Sequence, residues 1–304
     1  MTRFTIIVPC YNAEATLGET LDSLRAQTLP DWDCLLVDDG STDSTRAIAE
    51  AAARRDNRFR VVANPGKGPS SARNLALSEG RGTDIAFCDA DDLWLPAKLA
   101  EAAETLERTG AAATFGQIAF FDGTQSRTLS QVPGKPLSVP MLLGENPVCT
   151  MSNLVIRREA FQATGGFDST MVHNEDLEWL IRLVAAGHEV IGTDRLQVRY
   201  RTMPTGLSSN LEAMRAGRAR ALETAARYGF TADPRAEAVH LRYLARRALR
   251  VDAPAGEALK FALAGVATSP RGFFGDARRG LLTLAGALAA PICPRPLRHA
   301  LFAF

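Results

Sequence analysis

The sequence predicts an α/β protein: a doubly wound, mostly parallel sheet followed by a C-terminal α-helical extension. Three observations lead there. Between Phe4 and Cys88, short continuous apolar runs alternate with segments of helical periodicity, the signature of βα units whose strands are buried on both faces. A polar cluster follows several of those runs at equivalent ends. From residue 211 onward the pattern turns almost wholly helical.

Phe4 to Val8 is a β-branched apolar run and reads as the first strand. Leu17, Leu21 and Leu24 recur at helical spacing. Cys34 to Val37 is a second strand, and Ser41-Thr42-Asp43 reads as a cap before a helix over Thr45–Arg55. Phe59 to Ala63 is the third strand. The turn Asn64-Pro65-Gly66-Lys67-Gly68-Pro69 leads to Ser70-Ser71 and a helix near 72–79, and Asp84 to Cys88 is the fourth strand. Ala111–Phe121 and Asn153–Arg157 read as further strands. Glu175–Ala186 reads as a helix with Leu177, Leu180, Ile181 and Val184 on one face.

With 304 residues and 46% hydrophobic content, the chain can bury a sizeable core. Five cysteines, at 10, 34, 88, 149 and 293, form no CxxC pair. They read as reduced, packed thiols of a cytoplasmic protein, neither a disulfide framework nor a zinc site. The run Ile6 to Val8 is too short for a secretory signal, and Leu281 to Cys293 is shorter than the ~20 residues a spanning helix needs. The net charge of +1 is divided unevenly. Residues 1–210 hold 20 Lys/Arg against 27 Asp/Glu, or −7, and residues 211–304 hold 15 against 7, or +8. The reading is therefore of two domains, 1–210 and 211–304, with different partners.

Ligands of a parallel sheet bind outside the carboxyl ends of its strands. Pro9-Cys10-Tyr11-Asn12, Asp38-Asp39-Gly40-Ser41 and Asp89-Ala90-Asp91-Asp92 all fall at such ends. A solvated loop explains any one of these clusters, but explains three at equivalent positions poorly. Along an extended strand residues i and i+2 point the same way, so Asp89 and Asp91 are expected to converge, with Asp92 facing elsewhere or leading the turn. Two convergent carboxylates suit Mg²⁺ or Mn²⁺ and leave positions for phosphate oxygens; the bland alternative is an acidic turn capping a helix. Residues Gly66 to Arg73 form a flexible loop opening a helix, whose amides and Arg73 could face a phosphate, though the spacing is not that of a Walker A motif.

Five ordered segments resemble family 2 glycosyltransferases of the GT-A fold: VPCYNAEATL (8–17), LLVDDGSTDST (35–45), GPSSARNLAL (68–77), FCDADDLWLPAKL (87–99) and GGFDSTMVHNEDLEWLIRLVAAG (165–187). The likeness spans roughly residues 4–210. It implies an inverting transfer from a nucleotide-diphosphate sugar, UDP-linked by expectation, to a polysaccharide, glycolipid or lipid-linked acceptor. By the same resemblance Pro9, Tyr11, Asn12 and Asp39, with Asp38 nearby, hold the nucleotide, and Arg73 approaches it or its phosphates. Asp91 is the foremost metal ligand, joined by Asp89, which also faces the ribose, and by Asp92. The metal would act as a Lewis acid on the leaving group. The family places its base in the Glu-Asp pair, here Glu175-Asp176. Asp176 is the candidate base, at a helix N-terminus that favours the ionised form, and Glu175 orients the acceptor or the loop. Taken alone, both acids also read as an N-terminal helix cap. Arg182 reads as a partner for an acid or a phosphate, or as a surface arginine, and Trp179 as core or as a sugar platform.

One departure stands out. Many relatives carry a Tyr-Arg-x-His segment whose His helps bind the metal or diphosphate. This chain has Tyr200-Arg201-Thr202-Met203, and Met suits a hard cation poorly, so the metal is expected either to rest on fewer protein ligands or to take His173 as a substitute, although a lone loop His is usually just solvated. Two rivals follow: a nucleotide-sugar-binding scaffold without activity, and a glycoside hydrolase, which gives no reason for Asp38-Asp39 and Arg73. In the basic region, Arg242, Arg246 and Arg250 form one stripe over 235–251 beside an apolar one of Leu241, Leu244, Ala248 and Val251. Arg278-Arg279, Arg295 and Arg298 repeat the theme. The expectation is peripheral contact with an anionic membrane at its cytoplasmic face, or else arginines that pair with acids or face water. Nucleic-acid binding is not expected, because exposed aromatics do not interleave the basic residues.

Overall fold

The computed structural model describes residues 2–121, 126–202, 210–251 and 253–293. The chain divides into two compact units, residues 1–137 with 147–201, and residues 138–146 with 202–304.

The first unit opens with β1 (Phe4–Cys10), α1 (Leu17–Arg25), β2 (Trp32–Asp38), α2 (Thr45–Arg55), β3 (Phe59–Ala63), α3 (Gly68–Glu79) and β4 (Asp84–Phe87). These elements fall where the sequence places them, except that α3 begins at Gly68, four residues before the expected 72. Pro69 is the reason: it marks a turn in a sequence, yet its fixed φ and missing N–H suit the first turn of a helix, and it stands at that position here. Next come β5 (Leu93–Trp94), α4 (Lys98–Thr109), β6 (Ala113–Phe121) and β7 (Ser126–Leu129). α5 (Val139–Gly144) belongs to the second unit. After a 3₁₀ turn at Met151–Asn153 the first unit resumes with β8 (Val155–Arg157), α6 (Arg158–Thr164), α7 (Glu175–Ala185) and β9 (Val190–Arg201).

The sheet order is β3-β2-β1-β4-β8-β6-β9-β5, with β7 on β6. β3, β2, β1 and β4 run parallel, as expected for the βα units. Beyond β4 the sheet is mixed: β8 is antiparallel to β4 and β6, and β9 is parallel to β6 but antiparallel to β5. The central strands are the least exposed: Ile6, Ile7, Val8, Leu35, Leu36, Ile85 and Phe87 are fully buried. Cys10, Cys34 and Cys88 lie in this core, and burial pushes the Cys10 thiol up to about 12. Cys149 departs from the buried expectation and is exposed.

The second unit consists of α5, α8 (Leu211–Arg227), α9 (Pro234–Arg250), α10 (Ala255–Thr268), α11 (Pro270–Phe273) and α12 (Ala277–Ala289). The segment 138–146 lies in the first half of the sequence but packs here. Gly144 leaves only 3.2 Å between a notional Cβ and Val239, and the Arg218 guanidinium donates to Leu143 O at 2.9 Å. α9 is central, with Ala238, Leu244, Ala245, Ala248 and Leu249 in the core. Its arginine stripe is consequently not an open face. Arg242 is buried, donates to Phe273 O at 2.9 Å and lies 3.7 Å from Glu145. Met203, Arg295 and Arg298 lie outside the described residues.

Candidate active site

The parallel register sets the site. Cys10 lies opposite Asp38, and Ile7 opposite Phe87, so the loops after β1, β2 and β4 leave the sheet side by side. The first two are laced together. Asn12, in the left-handed region at φ 46, accepts from Thr42 N at 2.9 Å, and its own N–H donates to Ser41 Oγ at 3.2 Å. Ala13 N donates to Thr45 Oγ1, Glu14 N to Asp43 Oδ2, and Ser44 N to Glu14 Oε2. α2 is capped by Asp43, whose Oδ1 accepts from Thr45 N at 2.9 Å, as the Ser41-Thr42-Asp43 run led one to expect, with no side-chain cap from Ser44 itself. Asn12, expected to hold nucleotide, is thus a strut between loops. Asp38 is buried and accepts from Ser41 N at 3.2 Å. Asp39 holds the next loop: it accepts from Asn64 Nδ2 at 2.7 Å and from Gly68 N at 2.9 Å. Gly40 and Gly68 adopt φ of +81 and +79, which side chains rarely do. Tyr11, 61% exposed beside them, is the open aromatic of this rim.

β4 ends at Phe87, and residues 89–92 form a turn closed by Asp92 N donating to Asp89 O at 3.2 Å. The period of two that was to bring Asp89 and Asp91 together therefore does not operate. They are nonetheless close enough for Asp89 to raise Asp91: burial first, then the Asp89 charge, pushes the Asp91 carboxyl up to about 6, against its own backbone N–H and Arg201. Asp92 points inward and is fully buried. It accepts from Arg201 N at 3.0 Å, and burial with its two acidic neighbours raises it well above the usual carboxylate range. Its Oδ1 fastens the acid turn to β9, while Oδ2 is buried without a hydrogen-bond partner. Arg201 completes this fastening by donating to Asp91 O at 2.9 Å.

Asp89 is held on three sides. Its N–H donates to Ser152 Oγ at 2.9 Å, Oδ2 accepts from Thr150 Oγ1 at 3.0 Å, and Oδ1 pairs with Arg73 at 2.8 Å. The other arm of Arg73 pairs with Glu175 at 2.7 Å. Arg73, expected to reach the nucleotide or its phosphates, is buried with its charge committed to these two acids; only its Nε–H lacks a partner. Glu175 and Asp176 begin α7, after Asn174 in the left-handed region at φ 58. Burial, then the Glu175 charge, pushes the Asp176 carboxyl up to about 7; the charge of Asp89 reaches it too, while Leu177 N–H and Arg73 pull it down. A carboxylate poised there accepts a proton at neutral pH.

α3 secures the segment 167–175, which leads into Asp176, through three side chains of its first two turns. Ser70 Oγ donates to Met171 O at 3.1 Å, and Asn74 both donates to Phe167 O at 2.9 Å and accepts from Phe167 N at 2.8 Å; Arg73 is the third. Sequence reasoning missed Asn74, Thr150 and Ser152, and the only signal for Asn74 was its place directly after Arg73. A Cβ on Gly166 would come within 2.3 Å of Asn74 Oδ1. Gly166→Ala is expected to break the Asn74–Phe167 pair and cost about 1–3 kcal/mol; urea unfolding checks this. Trp179 is fully buried against Phe161 and Phe167, which leaves no sugar platform. Arg182 donates to Glu178, Thr164 O and Gly166 O, so it too is internal.

Among the described residues no three His, Cys, Asp or Glu side chains converge as a metal cage, and His173 joins no such group. Asp91, half-buried, without a side-chain partner and beside the Asp89 carboxylate, could hold an ion with it. Such hard oxygen donors would suit Mg²⁺ or Mn²⁺ completed by phosphate oxygens and water.

Comparison with known proteins agrees with this architecture. The profile of Glycosyl transferase family 2 matches residues 5–165. TuaG of Bacillus subtilis (strain 168), a glycosyltransferase assigned to teichuronic acid biosynthesis, is 30% identical over 210 residues, 68% of this chain and 81% of its own. The Escherichia coli UDP-Glc:alpha-D-GlcNAc-diphosphoundecaprenol beta-1,3-glucosyltransferase WfgD is 29% identical over 209 residues, 68% of this chain and 79% of its own. EpsJ of Bacillus subtilis (strain 168) is 49% identical over 88 residues, 29% of this chain and 26% of its own, so this chain spans about a quarter of that relative. Two solved structures share the GT-A fold. S. aureus TarS in complex with UDP-GlcNAc has a TM-score of 0.57 at 19% identity, over 95% of this chain and 81% of that one. The mannosyltransferase PcManGT from Pyrobaculum calidifontis in complex with GDP-Man and Mn2+ has a TM-score of 0.61 at 20% identity, over 99% of this chain and 83% of that one.

Proposed function

The chain belongs to glycosyl transferase family 2, and from that membership we propose that it is an inverting, metal-dependent transferase of a sugar from a UDP-linked donor to a saccharide or lipid-linked acceptor. One observation carries the reading. Arg73 ties Asp89 of the acid turn to Glu175, next to Asp176, so the donor-side carboxylates and a carboxylate titrating near neutrality face one site. Asp176 takes the proton of the acceptor hydroxyl as that oxygen attacks the anomeric carbon on the face opposite the leaving diphosphate. Glu175 and Arg73 position this base, and Tyr11, Pro9, Asp38 and Asp39 form the nucleotide rim. Mn²⁺ or Mg²⁺, held by Asp91 with Asp89, would neutralise charge on the departing diphosphate. UDP-linked donors and lipid-linked acceptors are supported by the named relatives TarS and WfgD. No described helix is long and apolar enough to cross a membrane.

A thermal-shift screen of nucleotide sugars with and without Mn²⁺ tests the reading, because a ligand of the folded state raises Tm by mass action. Asp91→Asn is expected to weaken Mn²⁺-dependent donor binding about 10–100-fold, the range for disturbing a metal's supporting groups. A wild-type protein that no nucleotide sugar stabilises would sink the proposal.

A further inference from the structure

α12 is turned inside out. Its buried positions carry the small side chains Gly280, Thr283, Gly286 and Ala287, and a Cβ on Gly280 would sit 2.8 Å from Phe273 O. Of its leucines only Leu284 packs against the core of the unit; Leu281, Leu282 and Leu288 are 61%, 62% and 55% exposed, and Ile292, just beyond the helix, is 86% exposed. At 100° per residue the three leucines project within about a third of the circumference. With Ile292 they are four of the nine exposed large hydrophobic side chains among the described residues, gathered where single ones would be unremarked. The helix and its unit carry exposed positive charge. Arg278 on its first turn and Arg271 on α11 are exposed, as is Lys260 on α10, and residues 211–304 carry 15 Lys/Arg against 7 Asp/Glu.

We infer that this face of α12 lies in the interfacial layer of a bilayer containing anionic lipid, with Leu281, Leu282, Leu288 and Ile292 at the acyl boundary and Arg278 at the lipid phosphates. An amphipathic helix with a basic rim binds such a surface through apolar burial and electrostatic attraction together. Charge selects the bilayer over a second copy of this chain, because a copy would bring an identical basic rim whereas anionic headgroups neutralise it. Of the two basic segments expected to meet a membrane, the inference keeps that of α12, since Arg242 of the α9 stripe is buried inside its own unit. It draws on the proposed activity only in that a lipid-linked acceptor brings the enzyme to a membrane.

The test sediments the full chain with vesicles of phosphatidylcholine alone or with phosphatidylglycerol added, neither holding a sugar acceptor, so loss of the transferase reading would leave the result standing. Wild type is expected to bind the anionic vesicles. Leu281→Glu/Leu288→Glu is expected to bind at least about tenfold more weakly, with an unchanged Tm and an unchanged response to nucleotide sugar. If that variant fails to fold, Leu281→Ser/Leu288→Ser is read in the same assay. Wild type that ignores anionic vesicles, or a folded variant that binds them equally well, overturns the inference. So does an oligomer, seen by light scattering, that the variant dissociates while vesicles go unbound, for then the face belongs to a second copy.

Discussion

Asp176→Asn is expected to lower the transfer rate about 10²–10⁴-fold, the contribution of a positioned general base, while donor binding measured by calorimetry stays unchanged. The amide keeps the shape of the carboxylate but cannot take the acceptor proton. The same group sets the pH profile: Asp176 is protonated below about 7, so activity should fall progressively as pH drops through neutrality. The variant also separates catalysis from helix capping. A carboxyl raised in the folded state holds its proton more tightly there than when unfolded, so its ionisation lowers stability as pH rises from the ordinary carboxylate range to about 7. Asn removes that cost, and above neutral pH the variant should melt no lower than wild type, whereas loss of a mere cap would lower Tm. Unimpaired nucleotide release by the variant would refute the base assignment.

Arg73→Met is expected to destabilise the first unit by about 3–5 kcal/mol, the cost of breaking a buried ion pair from one side. Asp89 and Glu175 would be left facing each other with no cation, and the Glu175 side chain is only 10% exposed. Adding Glu175→Gln should recover part of the loss, because removing both partners costs less than orphaning one. Melting curves of the two single variants and the double variant measure the coupling. Strictly additive effects would show that Arg73 and Glu175 do not depend on each other.

Much of this was legible in the sequence. Continuous apolar runs that stop at polar clusters located β1, β2 and β4 and the rim beyond them, since burial on both faces leaves a plain compositional mark. α2 was bounded correctly because a polar run precedes it and no Gly or Pro interrupts it. What stayed hidden depends on where the chain turns and on what packs behind it. Asp92 could not be known to face inward until β4 was seen to stop at Phe87. Arg73 has the pattern of an exposed loop arginine, and only the approach of α7 shows that two acids already hold it. The strands after β4 carry apolar runs of either direction, so pattern alone could not order the mixed half of the sheet. Nor could it send residues 138–146 to the helical unit, where Glu145 lies 3.7 Å from both Arg242 and Arg279.

The lacing of the loops after β1 and β2 has a practical consequence for anyone redesigning donor choice. Because Asn12 partners Ser41 and Thr42, and Glu14 partners Asp43 and Ser44, neither loop is a module that can be exchanged by itself. A graft of residues 38–45 alone would strand the hydrogen-bonding groups of 12–14, so successful chimaeras must carry both segments from the same parent.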